Sequence, residues 1–245
     1  TDAGIAIELT QAELKLAGGQ YEQALATLVR ARRDAGKHPY VLDLLRKVYA
    51  GLNDWNGLAE ILPQLKKYGV LEDAQLVNLE KTVHTEVFSS AVSAADLDKT
   101  KRAWDALPKG MKESSELQQR YVCSLIDLGE HDTADKFIQR SIKQNWDASL
   151  VRLYGFVEAS NSSKQLSQAE TWLKSQEKDA QLQLCLGRLA AKNKLWGKAR
   201  DYFENSFKLE RSAETCAELG RLLEHLGETK VSAAYYREGL MMRES

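Results

Sequence analysis

Polar breaks recur along this chain at a near-constant interval, and each is followed by the same arrangement of apolar positions. Gly19-Gln20-Tyr21 leads to Ala24 and then Leu28, while Asn53-Asp54-Trp55 leads to Leu58 and Leu62. Counted from the slot that Tyr21 holds, the occupants are Tyr21, Trp55, Leu97, His131, Leu166, Trp196 and Thr229, at spacings of 34, 42, 34, 35, 30 and 33 residues. Three positions further on stand Ala24, Leu58, Thr100, Ala134, Ala169, Ala199 and Ser232, and four beyond those Leu28, Leu62, Trp104, Ile138, Leu173, Phe203 and Tyr236. Offsets of three and seven fall on one face of an α-helix, so each break opens a helix with a small residue and then a large one facing inward.

Each interval has room for a second helix ahead of that one, and the pattern predicts seven antiparallel pairs. The ranges are 5–17 with 21–35, 39–51 with 55–68, 72–94 with 97–107, 114–128 with 131–144, 147–160 with 165–176, 179–192 with 196–208, and 212–226 with 229–243. Gly18-Gly19 suits the first turn because glycine takes left-handed angles cheaply. Pro39 fits a first helical turn, and Pro63 predicts a kink inside its helix. The 42-residue spacing is absorbed by the longer helix at 72–94, and Pro108-Lys109-Gly110 closes that pair. Gly187 and Gly220, 33 residues apart, take the small-residue slot of the first helices. A repeat near 34 residues built from two amphipathic helices is the mark of a tetratricopeptide solenoid. The expected fold is therefore all-α, an α–α superhelix of about seven helix pairs forming one domain over residues 1–245.

Composition narrows the possible partners. With 43% apolar and 28% charged residues the chain reads as folded and not disordered, and its three prolines suit helices. A net charge of −1 argues against nucleic acid, which needs a concentrated basic face. The clusters Arg30-Ala31-Arg32-Arg33 and Lys66-Lys67 are balanced by nearby acids and read as solvated helix faces. Cys123, Cys185 and Cys216 show no CxxC spacing and sit in apolar helical stretches, which predicts buried thiols and a reducing compartment. No apolar run is long enough for a membrane span. The chain opens at Thr1-Asp2 without an initiator methionine, as a fragment of a longer protein would.

Catalytic signatures are missing: there is no GxGxxG, P-loop, HExxH or GxSxG, and the carboxylates form only ordinary helix-surface pairs. Of the four histidines, His38 reads as solvated before Pro39, and His131 as a packed imidazole in an apolar slot. No catalytic, cofactor or metal residue is assigned, and the chain reads as a non-enzyme. Solenoids of this kind present first-helix positions to another chain. Aligning the units puts Asp43, Lys47, Gln119, Tyr154, Glu158, Arg188, Lys192, Arg221 and His225 on that groove, which is polar and of mixed charge.

Some strings are more specific than the repeat. The run from Asn145-Trp146-Asp147 through Leu150-Val151-Arg152-Leu153-Tyr154-Gly155 closely resembles a segment of the HemY-type proteins of proteobacteria. So do Leu195-Trp196-Gly197-Lys198-Ala199-Arg200, the turn from Leu128 to Ala134, and Lys37-His38-Pro39 with Val41-Leu42. The resemblance covers essentially all of the chain. It implies an inner-membrane protein linked to late steps of haem synthesis, with two amino-terminal membrane helices upstream of Thr1 and this domain on the cytoplasmic face. An unrelated flavin-dependent protoporphyrinogen oxidase shares the name. The chain lacks the dinucleotide fingerprint that such an activity requires.

The first functional reading is an interaction scaffold at the membrane, its groove docking a protein partner such as a haem-pathway enzyme through Lys47, Arg188 and Arg221. On that reading, Arg188 and Arg221 can both be reversed in charge without loss of thermal stability. The alternative is direct haem or porphyrin handling, in which His225 or Cys123 would meet the iron; no bound cofactor is otherwise called for.

Overall fold

The computed structural model describes residues 2–35 and 38–242, leaving aside the side chains of Asp2, Ala3, Ile5, Arg33, Asp34 and Ala35. The Arg33 side chain of the first basic cluster and Lys37 of the resemblance strings therefore lie outside what is described. Among those described, the chain is all-α, with fifteen helices and no strand. It falls into two compact units, Thr1–Met111 and Lys112–Ser245.

The amino-terminal unit holds α1 (Asp2–Ala17), α2 (Tyr21–Ala35), α3 (Pro39–Leu52), α4 (Trp55–Lys67), α5 (Asp73–Ser93) and α6 (Leu97–Ala106). They follow one another as antiparallel pairs, each packed on the next, and α1 also reaches α3. Its core runs through Leu28, Leu42, Leu45, Leu58, Ile61 and Leu65. Two close approaches explain glycines here. A Cβ on Gly51 would lie 2.3 Å from the Tyr21 ring, and one on Gly57 would lie 2.5 Å from the Tyr49 ring. Helix α4 continues through Pro63, which faces solvent. A short α7 (Lys109–Lys112) follows Pro108 where the two units meet in sequence.

The carboxy-terminal unit holds α8 (Ser115–Asp127), α9 (His131–Gln144), α10 (Ala148–Tyr154), α11 (Ser162–Gln176), α12 (Ala180–Lys192), α13 (Trp196–Leu209), α14 (Ala213–His225) and α15 (Thr229–Met241). Within it the first helices form one layer, α8 on α10, α10 on α12 and α12 on α14. Helix α12 sits centrally, with every residue from Leu182 to Ala190 buried. It touches α10, α11, α13 and α14, which is why it is covered nearly all round.

The repeat slots account for this architecture. Tyr21, Trp55, Leu97, His131, Trp196 and Thr229 are each the first residue of a second helix. Ala24, Ala134, Ala169 and Ala199 are fully buried against their partner helices. Where the small slot is a hydroxyl residue, it bonds back to the first helix: Thr100 Oγ1 donates to the Ala91 carbonyl at 3.3 Å and Ser232 Oγ to the Gly220 carbonyl at 2.8 Å. Gly187 and Gly220 seat aromatic rings as their slot predicts, for an added Cβ would meet Phe203 at 2.3 Å and Tyr236 at 2.5 Å.

One element departs from expectation. The helix predicted over 147–160 ends at Tyr154, and its partner starts at Ser162, three residues before the predicted 165. Asp147 caps α10 by accepting from the Ser149 and Leu150 amides. Past Tyr154 the helix closes in a single turn, with Val157 N–H donating to the Tyr154 carbonyl at 3.2 Å, and side chains supply the further donors. The Gln165 amide donates to the carbonyls of Tyr154 (3.3 Å) and Val157 (3.1 Å), and Lys192 Nζ donates to Val157 at 2.9 Å. The chain then runs as a loop pinned by Glu158 N–H on His131 Nδ1 and by Ser160 on Asp132, until Asn161 caps α11.

Candidate functional site

Three consecutive first helices of the carboxy-terminal unit meet around one carboxylate. Glu214, in the first turn of α14, accepts from Arg152 Nε of α10 at 2.6 Å and from Arg188 Nη2 of α12 at 2.6 Å. Arg188 Nε also pairs with Glu218 Oε1 at 2.8 Å, and Arg221 Nη2 reaches that same oxygen at 3.2 Å. The result is an alternating chain, Arg152–Glu214–Arg188–Glu218–Arg221, laid across α10, α12 and α14. Acids at 214 and 218 lie one turn apart on one face of α14, and the arginines arrive from different helices. Burial pushes the Glu214 carboxyl up, but hydrogen bonds from Arg152 and Arg188 outweigh it and hold the group below the usual carboxylate range.

Arg188 is the hub. Its side chain is 6% exposed, and its guanidinium carbon lies 4.0 Å from the centroid of the Phe156 ring. Nη1 is buried with no acceptor among the described residues. Gly155 makes room for this, since a Cβ there would come within 2.9 Å of Arg188 Cδ. Beside the chain of charges lies an open depression of about 610 Å³ lined by Arg152, Ala213, Glu214, Ala217, Tyr236 and Leu240. Its lining includes an exposed arginine, Arg152, and an exposed leucine, Leu240.

The structure sorts the nine expected groove residues. It brings Arg188 and Arg221 together through Glu218. Lys192 is on the same layer with its ammonium on Val157; desolvation lowers its pKa below that of an ordinary lysine. Glu158 is exposed but lies in the loop after α10. Gln119 is half-buried on α8 and donates to Ser115 Oγ at 2.9 Å. His225 ends α14 with its ring 4.4 Å from Trp196. Asp43 and Lys47 belong to the amino-terminal unit, where Asp43 pairs with Lys47 at 2.8 Å and with Arg46 at 2.7 Å.

Two assignments are corrected. Tyr154 does not line a groove. It is fully buried, its hydroxyl donates to Asp135 Oδ1 at 2.5 Å and accepts from Gln139 at 3.1 Å, and its ring packs on Trp172. Burial, followed by the bond to Asp135, pushes the phenol far above its usual range. Arg188 is no free capture group, because both its ion pairs are internal. Among the thiols, Cys185 and Cys216 are buried as expected, whereas Cys123 is exposed. Arg152, Glu214 and Glu218 are not among the nine expected groove residues. Their signal was a pair of acids four apart on a helix that follows an arginine in an otherwise apolar run.

Stacked antiparallel helix pairs with small-residue slots and ring-on-glycine contacts define an all-α repeat protein of the tetratricopeptide type. The apo form of RapI shares this fold at a TM-score of 0.51, with 15% identity over 98% of this chain and 77% of that one. The chain is similar over nearly its whole length to the HemY proteins: 25% identical to Protein HemY of Escherichia coli K12 across 242 residues, 97% of this chain. Protein HemY of Shigella flexneri matches to the same extent. The chain spans about 60% of the length of these relatives. No family profile matches it. Among the described residues no helix is long and apolar enough to cross a membrane, and no three His, Cys, Asp or Glu are grouped to hold a metal.

Proposed function

We propose that this chain is the docking scaffold of a HemY-like membrane-associated protein, not an enzyme, and that a partner polypeptide lies on the first-helix face of its carboxy-terminal unit. The observation that carries the reading is the convergence of α10, α12 and α14 on one charged chain beside an open depression. A partner carboxylate meets Arg152 or Arg221 there, and an apolar side chain meets Leu240 and Tyr236. The buried Arg188 holds the face in shape and does no capturing itself.

The finer parts rest on the resemblance alone. It supports an inner-membrane location with this domain on the cytoplasmic side, and a partner acting late in haem synthesis. Affinity capture from membranes with the full-length protein tests both levels. The Arg152→Gln/Arg221→Glu variant is expected to lose its partner at least tenfold while melting within a few degrees of the parent. An unchanged set of captured proteins removes the face. A captured set without any porphyrin-processing enzyme removes the haem link and leaves the scaffold standing.

A further inference from the structure

On the opposite layer of the same unit, the second helices differ in how they are closed against each other. Between α11 and α13, Glu170 accepts from Lys198 Nζ at 3.0 Å and from the Tyr202 hydroxyl at 2.9 Å. Past α13, Arg200 pairs with Glu228 at 2.8 Å and Arg211 with Glu238 at 3.4 Å. In each case an acid and a cation from successive stretches of the chain close the gap, the acid coming first at Glu170 and second at Glu228 and Glu238. Between α9 and α11 the cations are present and the acid is not.

Lys136, Arg140 and Lys143 form one exposed stripe on α9, about 10 Å long at the helical rise. They line an open cleft of about 720 Å³ whose other wall, on α11, offers Trp172 and the uncharged polar Gln168, Thr171 and Ser175. Gln168, Thr171 and Ser175 bond within their own helix. The nearby acids hold other groups by hydrogen bonds: Asp132, which also feels the charge of Lys136, holds Ser160, Asp135 holds Tyr154 and Gln139, Glu170 faces α13, and Asp179 accepts from Trp146 Nε1 at 2.8 Å. None of the three cations has an ion pair among the described residues. The cleft also contains two half-buried indoles, Trp146 and Trp172, packed edge to face with centroids 6.1 Å apart.

We infer that the α9–α11 cleft is a second docking surface, for an acidic peptide segment of another protein. Carboxylates on that segment meet Lys136, Arg140 and Lys143, and an apolar side chain between them rests on the indole pair. Three cations at i, i+4 and i+7 match carboxylates at the same spacing on a helical ligand. Indole edges and the apolar Ile142 favour a side-chain anchor over a bare polyanion. The site supplies the interaction that Glu170 and Glu228 make internally in the next two pairs.

The test uses the whole chain and a labelled helical peptide with Glu at i, i+4 and i+7 and one Leu between, read by anisotropy and by the fluorescence of Trp146 and Trp172. Binding should weaken at least tenfold for the charge-reversed peptide, for Lys136→Glu/Arg140→Glu/Lys143→Glu, and on raising salt. A second variant, Thr171→Glu/Ser175→Glu, supplies the missing acid from within. It is expected to melt no lower than the parent and to lose the peptide. Equal binding by parent and charge-reversed protein overturns the assignment, as does the absence of binding at millimolar peptide. Tighter capture of a short oligonucleotide or of anionic vesicles than of the peptide overturns it as well.

Discussion

Hairpins α10–α11 and α12–α13 are neighbours in one unit, and they solve the same packing problem by different means. In α12–α13 the contact is apolar: the Phe203 ring lies on Gly187, Ala199 is fully buried, and α12 is inaccessible along nine consecutive residues. In α10–α11 the first helix is only seven residues long, and its end is held by the Gln165 and Lys192 side chains. Tyr154 is fixed by Asp135 and Gln139 and not by interdigitation alone. Interdigitated contacts pull helices as close as the atoms allow. Hydrogen bonds fix a distance instead, and the hairpin built from them borders the open α9–α11 cleft.

The largest effect is expected at Arg188, which reaches from α12 to the Phe156 ring beside α10. Replacing Arg188 with Ala leaves Glu214 and Glu218 without their inner partner, and should cost about 3–5 kcal/mol in chemical denaturation. If melting were hardly changed, Arg188 would be a free surface group after all. Next comes Gly187→Ala, whose new Cβ has nowhere to go against Phe203. It should cost about 1–3 kcal/mol, with Phe203→Leu in the same chain restoring part of the loss. On the hydrogen-bonded side, Gln165→Leu strips donors from the Tyr154 and Val157 carbonyls and should cost about 1–2 kcal/mol. Hydrogen exchange should then quicken in residues 155–161 before it does in α12 or α13.

The smallest effect is one of pH. Because the folded carboxyl of Glu214 titrates below its unfolded value, its contribution is fully present above the unfolded pKa and is lost as pH falls through the folded one. Melting curves between neutral pH and strong acid should therefore flatten in Arg152→Gln, whose Glu214 keeps only one of its two partners.

Most of the fold could be read from the chain because apolar periodicity reports which face of a helix is covered. Phe203 and Tyr236 four residues past a small slot, with Gly187 and Gly220 in the facing helices, left little choice of pairing. The shortened α10 was hidden for the opposite reason. A turn whose Val157 carbonyl goes to Gln165 and Lys192 leaves no local trace, since those donors are 8 and 35 residues away. The polar run from Glu158 to Lys164, with Asn161 as a cap, was the available hint. The site was read only in part. Arg188 was placed on the right layer but on the wrong side of the water boundary, and Arg152 finds Glu214 across 62 residues of sequence. Long cationic side chains can be buried by partners that no periodicity announces.

Glu214 clips α10 to α14 past the helix that lies between them, so the span across those three rods is set by the reach of two arginines and not by main chain. A visiting carboxylate that takes Arg152 does so in competition with Glu214. On the docking reading, occupancy of the face and the Arg152–Glu214 clip are therefore coupled, and whatever strengthens the clip weakens the visitor's hold.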